Sequence, residues 1–234
     1  RALELGVNLI DTADVYGNSE NAIAGALHPY PEGLVIATKG GQTLVDGQPT
    51  ADGRPEYLRE ACERSLSRLE VDTVDLYQLH MPDPDVPIEE SVGALEELRN
   101  EGKIRQIGVS NVFGEALEGA LRTAPVVSVQ NRYSLMHRDR DDEIAICERE
   151  GIAFMPWWPL AGGELAGAGG ALAEVANAHD ARPGQIALAW LLQRSTAMLP
   201  IPGTASLEHL EENVRAGTIE LTPDEVAMLE AEPR

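Results

Sequence analysis

Leu34-Val35-Ile36-Ala37-Thr38-Lys39 is an apolar run that does not alternate with polar residues and ends on a charged side chain. A strand apolar on both faces belongs in a parallel sheet covered by helices. The same form recurs along the chain. It appears as Val7-Asn8-Leu9-Ile10-Asp11, Val74-Asp75-Leu76-Tyr77-Gln78-Leu79-His80, Ile107-Gly108-Val109-Ser110-Asn111 and Val126-Val127-Ser128-Val129-Gln130-Asn131. Ile152-Ala153-Phe154-Met155-Pro156-Trp157 and Met198-Leu199-Pro200-Ile201-Pro202 complete seven runs. Amphipathic stretches with apolar residues at helical spacing lie between and after them, such as residues 57–69, 87–100, 139–150, 172–179, 185–193, 206–216 and 223–230. Pro87 and Pro223 suit a first helical turn, and Ser206 and Thr222 read as N-caps.

Seven strand–helix units predict an α/β chain, an eightfold β/α (TIM) barrel whose first strand is absent. Residues 1–234 then form a single, N-terminally incomplete barrel domain. The chain begins at Arg1, and Arg1–Gly6 reads as the last turns of a helix closed by glycine, so we expect an upstream segment that carries that strand. Two strand edges would then lie unpaired, and the chain expressed alone is expected to be poorly soluble or inactive. A doubly wound open sheet is the alternative; it would favour a G-x-G-x-x-G turn after a strand, and none stands there. Residues 161–170, rich in Gly and Ala, read either as a mobile loop at the barrel mouth or as a structured ligand lid.

The composition narrows the partners. Of 234 residues, 39 are acidic and 18 basic, for a formal charge of −21. That field repels nucleic acid and anionic lipid, so phosphate on any ligand must be gripped by local donors. No apolar run is long enough to span a membrane. Two cysteines, Cys62 and Cys147, make no disulfide framework; both read as buried, inert thiols in a cytoplasmic protein. The five histidines are scattered without metal-ligand spacing, and neither a nucleophile elbow nor a phosphate-binding P-loop is found.

In β/α barrels the active site is built where strands end. Here the runs end on Asp11, Lys39, His80, Ser110-Asn111, Gln130-Asn131, Trp157 and Gly203-Thr204, a polar ring where a core would take aliphatics. Lys39 stands out because the only other lysine is Lys103; a buried amine there does what a guanidinium does not. Tyr16 follows Asp11 by five residues, close enough to face the same mouth. An acid, a tyrosine, a lysine and a histidine in one place make a proton-transfer set, with the ammonium favouring phenolate. Two reaction classes fit: hydride transfer with a bound nucleotide, and Schiff-base chemistry on Lys39.

These stretches resemble the aldo-keto reductase family over essentially the whole chain. Asn8-Leu9-Ile10-Asp11-Thr12-Ala13-Asp14-Val15-Tyr16-Gly17 resembles its catalytic aspartate–tyrosine motif, Ala37-Thr38-Lys39 its lysine strand end, and Leu76-Tyr77-Gln78-Leu79-His80 its histidine strand end. Ile107–Asn111, Val129–Tyr133, Ile201–Ser206 and His209–Asn213 add further matches in the family's order. The resemblance implies a carbonyl reductase using NADP(H), with NAD(H) the alternative, acting on a small-molecule aldehyde or ketone as a monomer or weak oligomer. It implies Tyr16 as general acid, Lys39 lowering its pKa, Asp11 anchoring Lys39, and His80 orienting the carbonyl. Ser110, Asn111 and Gln130 would hold the nicotinamide carboxamide and Trp157 would stack on the ring. Gly203, Thr204 and His209 would meet the 2′-phosphate, with Glu212 and Asn213 near adenine. Gly203 and His209 stand where many members carry basic residues, which weakens the charge for a 2′-phosphate. The bacterial pyridoxal-reductase-like members look most similar, and Trp157-Trp158 suggests a flat or aromatic carbonyl. A Lys39 aldolase and a non-catalytic nicotinamide-binding barrel are the competing functions.

Overall fold

The computed structural model describes residues 1–231, which divide into two compact units, residues 8–130 and residues 131–231 with 1–7.

The first unit alternates strand and helix. In chain order it contains β1 (Leu9–Asp11), α1 (Ser19–Leu27), β2 (Val35–Gly40), β3 (Gln42–Val45), β4 (Gln48–Ala51) and α2 (Pro55–Leu69). β5 (Val74–Leu79), α3 (Ile88–Asn100), β6 (Ile104–Ser110), α4 (Gly114–Thr123) and β7 (Val126–Gln130) follow. β1, β2, β5, β6 and β7 pair in that order, all parallel. Five of the six β2 residues are buried, including both faces of the strand, as an unalternating apolar run requires. The helices cover the sheet with apolar stripes; α2 buries Leu58, Ala61, Cys62, Leu66 and Leu69 along one face.

The antiparallel hairpin β3–β4 was not expected. Its signal was present as Asp46-Gly47, a pair suited to a two-residue turn with both residues left-handed, and both adopt positive φ (51° and 77°).

The second unit contains α5 (Asp141–Glu150), β8 (Ala153–Phe154), α6 (Gly170–Ala178), α7 (Pro183–Arg194), α8 (Leu207–Arg215) and α9 (Pro223–Ala231). The seventh apolar run does not form a strand. It makes one parallel bridge, Phe154 to Met198, because Pro200 and Pro202 have no N–H to continue a ladder. Arg1–Gly6 is a single 3₁₀ turn, Leu3–Leu5, closed by Gly6 at φ 89°. Ser206 caps α8 by accepting from His209 N–H, and Thr222 and Glu225 cap α9 reciprocally. Residues 161–167 form 3₁₀ turns interrupted by Gly162 and Gly163, both at positive φ. Among the described residues no helix is long and apolar enough to cross a membrane.

Candidate functional site

The parallel ladder positions the first group of polar residues. β1 ends at Asp11, but its register continues: Thr12 N–H donates to Ala37 O at 2.8 Å and Asp14 N–H to Lys39 O at 3.1 Å. The turn that follows is thereby laid over the end of β2, which brings Tyr16 above Lys39. Lys39 is wholly buried, and its ammonium donates to Asp11 Oδ2 at 2.5 Å and to Thr12 O at 2.8 Å. Its Nζ lies 5.3 Å from the centre of the Tyr16 ring.

Asp11 Oδ1 accepts from Gln78 Nε2 at 2.9 Å and Gln130 Nε2 at 3.0 Å, so its carboxylate gathers one cation and two amides from three strands. Gln78 was overlooked in the sequence. It precedes His80 by two residues and therefore shares its side of the strand, which is the signal that could have found it.

His80 N–H donates to Gly40 O at 2.8 Å, continuing the ladder beyond β5. Its Nε2 lies 3.5 Å from the Tyr16 hydroxyl, with the two rings edge to face. Its Nδ1 is buried without a hydrogen-bond partner among the described residues. Burial, and then the Lys39 ammonium, push the imidazole down to about 4, so it is neutral at pH 7. Asn111 takes a left-handed conformation (φ 58°) and donates its amide to His80 O at 3.0 Å and to Ser110 Oγ at 3.2 Å. Its backbone N–H donates to Gln130 O at 3.0 Å. Asp11, Tyr16, Lys39, His80, Ser110, Asn111 and Gln130 thus belong to one unit, at the C-terminal ends of its strands or in the turn beyond.

One electrostatic expectation changes. Burial first, then Asp11 and Asp14, raise the Tyr16 phenol above its ordinary value. The Lys39 ammonium, 5.3 Å from the ring centre and paired with Asp11, does not outweigh these effects, and its own pKa is lowered by burial against the pull of that carboxylate. Asp14 is a second omission of the sequence reading. Its carboxyl is pushed up to about 7 by burial and by Glu20, and its Oδ1 is buried without a partner among the described residues. Cys62 and Cys147 are buried thiols whose burial pushes both up to about 12.

The remaining cofactor positions lie in the other unit. A cavity of about 820 Å³ is lined by Ile201-Pro202-Gly203-Thr204, by Glu208, His209, Glu212 and Asn213 of the α8 region, and by Arg182, Gly184 and Gln185 at the head of α7. Trp158, Leu160, Gly162 and Gly163 form a further wall. All five residues expected at the phosphate and adenine therefore share one cavity. Trp158 rather than Trp157 stands in its wall, at φ 64°, with the Arg132 guanidinium 4.2 Å over its ring. Trp157 is held by backbone bonding to the Asn131–Tyr133 segment. Arg182 was missed altogether: the cavity is assembled from three distant segments, and no sequence spacing links them.

A cavity of this volume suits a cofactor-sized ligand. Glycines and backbone form much of its wall, and Gly203 has nothing within 4 Å of where a side chain would begin, which leaves room for a ligand to approach the main chain. Among the described residues no group of three or more His, Cys, Asp or Glu side chains is placed to hold a metal ion.

Known proteins resemble the chain over nearly its whole length. The chain is 46% identical over 237 residues to an uncharacterised oxidoreductase of Schizosaccharomyces pombe, covering 99% of this chain and 76% of that protein. It is 39% identical to pyridoxine 4-dehydrogenase of Escherichia coli, covering 98% and 83%. Among solved structures, the aldo/keto reductase of Klebsiella pneumoniae in complex with NADP and acetate superimposes with a TM-score of 0.85 at 31% identity, covering 98% of this chain and 81% of that one. The fold class expected from the sequence, the (β/α)8 barrel type with fewer than eight strands present, is the one these likenesses show. The profile of the Aldo/keto reductase family matches residues 1–232, and the chain belongs to that family.

Proposed function

We propose that the protein is an NADP(H)-dependent carbonyl reductase in which Tyr16 is the general acid, acting within a single barrel domain of residues 1–234. The observation that carries the reading is the closed set Asp11–Lys39–His80–Tyr16, in which a half-exposed phenol is the one member that reaches solvent. The NADP bound by the Klebsiella relative supports the choice of cofactor. When bound, NADP(H) supplies a hydride for a carbonyl carbon or accepts one from an alcohol. Ser110, Asn111 and Gln130 would hold its carboxamide, and the cavity at Gly203, Thr204, His209, Glu212 and Asn213 its adenosine half.

The chain's own residues handle the proton. The Tyr16 phenol keeps its proton at neutral pH, and because burial weakens it as an acid, donation to a carbonyl oxygen relies on the Lys39 ammonium beside its ring. Neutral His80, with Nε2 towards the phenol, shares the same oxygen site without adding charge. Lys39 donates no proton to bulk solvent, since it is buried and fixed on Asp11 and Thr12 O; its ammonium stabilises negative charge as it develops on the Tyr16 oxygen. Pairing with Asp11 and Thr12 O, and the lack of any exposed surface through which a carbonyl carbon could reach the amine, disfavour the aldolase reading of Lys39.

The substrate is a small aldehyde or ketone. The likeness to pyridoxine 4-dehydrogenase and the indole pair Trp157-Trp158 favour a flat aromatic carbonyl. The test is to follow oxidation of NADPH and of NADH by the purified protein against a panel of aldehydes that includes pyridoxal. Turnover of any panel member supports the reading. Binding of dinucleotide without turnover of any aldehyde would instead favour a non-catalytic nicotinamide-binding barrel.

A further inference from the structure

Resting on the dinucleotide reading, the charges of the adenosine cavity point to a residue that sequence motifs do not reveal. The ionisable groups in its wall are Arg182, Glu208, His209 and Glu212. Two carboxylates therefore face one permanent cation, in a chain whose formal charge is already −21. A phosphomonoester brings about −1.5 to −2 at pH 7. Such a group enters a wall of this kind only where a local cation offsets the repulsion. The positions preceding α8 do not provide one, since Gly203 has no side chain and the neighbouring positions are Pro202, Thr204 and Ala205.

Arg182 lines the same cavity from the head of α7, beside Glu212 of α8. Its backbone is fixed: Arg182 N–H donates to Gln185 Oε1 at 3.0 Å, and Gln185 Nε2 donates to Glu212 O at 3.1 Å. Its side chain is 68% exposed, and its Nε lies 3.4 Å from Glu212 Oε1. Glu212 is the more enclosed partner, at 18% exposure. A loosely paired, exposed guanidinium on an anchored backbone can exchange its carboxylate for a stronger anion at little cost.

We propose that Arg182 recognises the 2′-phosphate of the nucleotide, leaving Glu212 to do so, with the Thr204 hydroxyl and the α8 head completing the anion site. Arg182, supplied by α7, then separates NADP(H) from NAD(H) in place of basic residues before or within α8.

The test uses the purified protein, Arg182→Met and Arg182→Lys. Each is titrated calorimetrically with adenosine 2′,5′-bisphosphate, 5′-AMP, NADPH and NADH. The expected result is that Arg182→Met weakens adenosine 2′,5′-bisphosphate and NADPH by about 10- to 100-fold, the range of a charge-assisted hydrogen bond. 5′-AMP and NADH should stay within about twofold, and Arg182→Lys should recover part of the loss. Equal weakening of all four ligands, or an unchanged NADPH-to-NADH ratio, overturns the assignment of Arg182 while leaving the dinucleotide reading intact. Failure of the unmodified protein to bind any of the four overturns both.

Discussion

Lys39 Nζ lies 2.5 Å from Asp11 Oδ2, a salt bridge in which the lysine side chain is wholly buried and the aspartate nearly so. Two amides, from Gln78 and Gln130, share the other oxygen of that carboxylate. Breaking a buried pair by removing one partner leaves an uncompensated charge, at a cost of about 3–5 kcal/mol. Asp11→Asn strands the ammonium, and Lys39→Met strands the carboxylate on its two amides. Each single variant should lose stability in that range, and the double variant should lose clearly less than the sum. Urea titrations of the three variants check this; additive losses would show that the pair is not coupled.

Two buried groups give the protein opposing pH slopes. The His80 imidazole is pushed from 6.5 to about 4, so below pH 6.5 the unfolded chain binds a proton that the folded one refuses. Stability from this group is present above 6.5 and lost as pH falls towards 4. The Asp14 carboxyl is pushed from 3.8 to about 7, so the folded protein keeps a proton that the unfolded chain releases. That contribution is lost as pH rises from about 4 to 7. The slopes offset each other where the windows overlap. His80→Gln should therefore give a protein that weakens steadily as pH rises through this range, and Asp14→Asn one that strengthens. Each swing is on the order of 2–4 kcal/mol. Urea midpoints at several pH values decide the matter, and parallel profiles for the two variants would contradict it.

Gly108 is a close approach beside Gln78, the residue that donates to Asp11. A side-chain carbon added there falls 2.7 Å from Gln78 Cγ and 2.3 Å from Ser128 Oγ. Gly108→Ala should cost about 1–3 kcal/mol. In a Gln78→Ala background the same substitution should cost at least about 0.5 kcal/mol less, because one of its clashes has gone. An unchanged cost would mean that Gly108 does not act through Gln78.

Gly162 is a comparable close approach in the cavity lined by the heads of α7 and α8. It sits at φ +67°, and an added carbon would meet Trp158 Nε1 at 2.9 Å. Gly162→Ala should move the Trp158 indole, altering tryptophan fluorescence and weakening dinucleotide binding, with a stability loss of about 1 kcal/mol. Gly163 shares the positive φ but has open space around it. Gly163→Ala should thus lose stability without the fluorescence change; the same spectral shift in both variants would contradict this.

The parallel sheet was legible because strands buried on both faces must be largely apolar, and β2 and β5 are, apart from Thr38, Lys39, Asp75 and Gln78. The candidate proton-transfer group was legible for a related reason: Asp11, Lys39 and His80 interrupt or end such runs, where polarity needs a reason. The seventh run misled because apolar character was read without weighing the missing N–H groups of Pro200 and Pro202. The Asp46-Gly47 hairpin was passed over although its turn chemistry is local. Arg182 was not legible, because it joins a cavity wall with segments distant in sequence; Trp158 was read as half of an indole pair, without its place in that wall. Tyr16 shows the same limit, since its elevated pKa depends on Asp14 as well as Asp11.

The central claim is that the Tyr16 phenol delivers the proton while other residues hold the dinucleotide. Its most direct test is Tyr16→Phe, measured both by calorimetric NADPH binding and by NADPH oxidation with an aldehyde that the unmodified protein reduces. Removing a positioned general acid costs about 10²- to 10⁴-fold in turnover. The account predicts a loss in that range with the NADPH dissociation constant unchanged. Turnover retained within a few fold would contradict it.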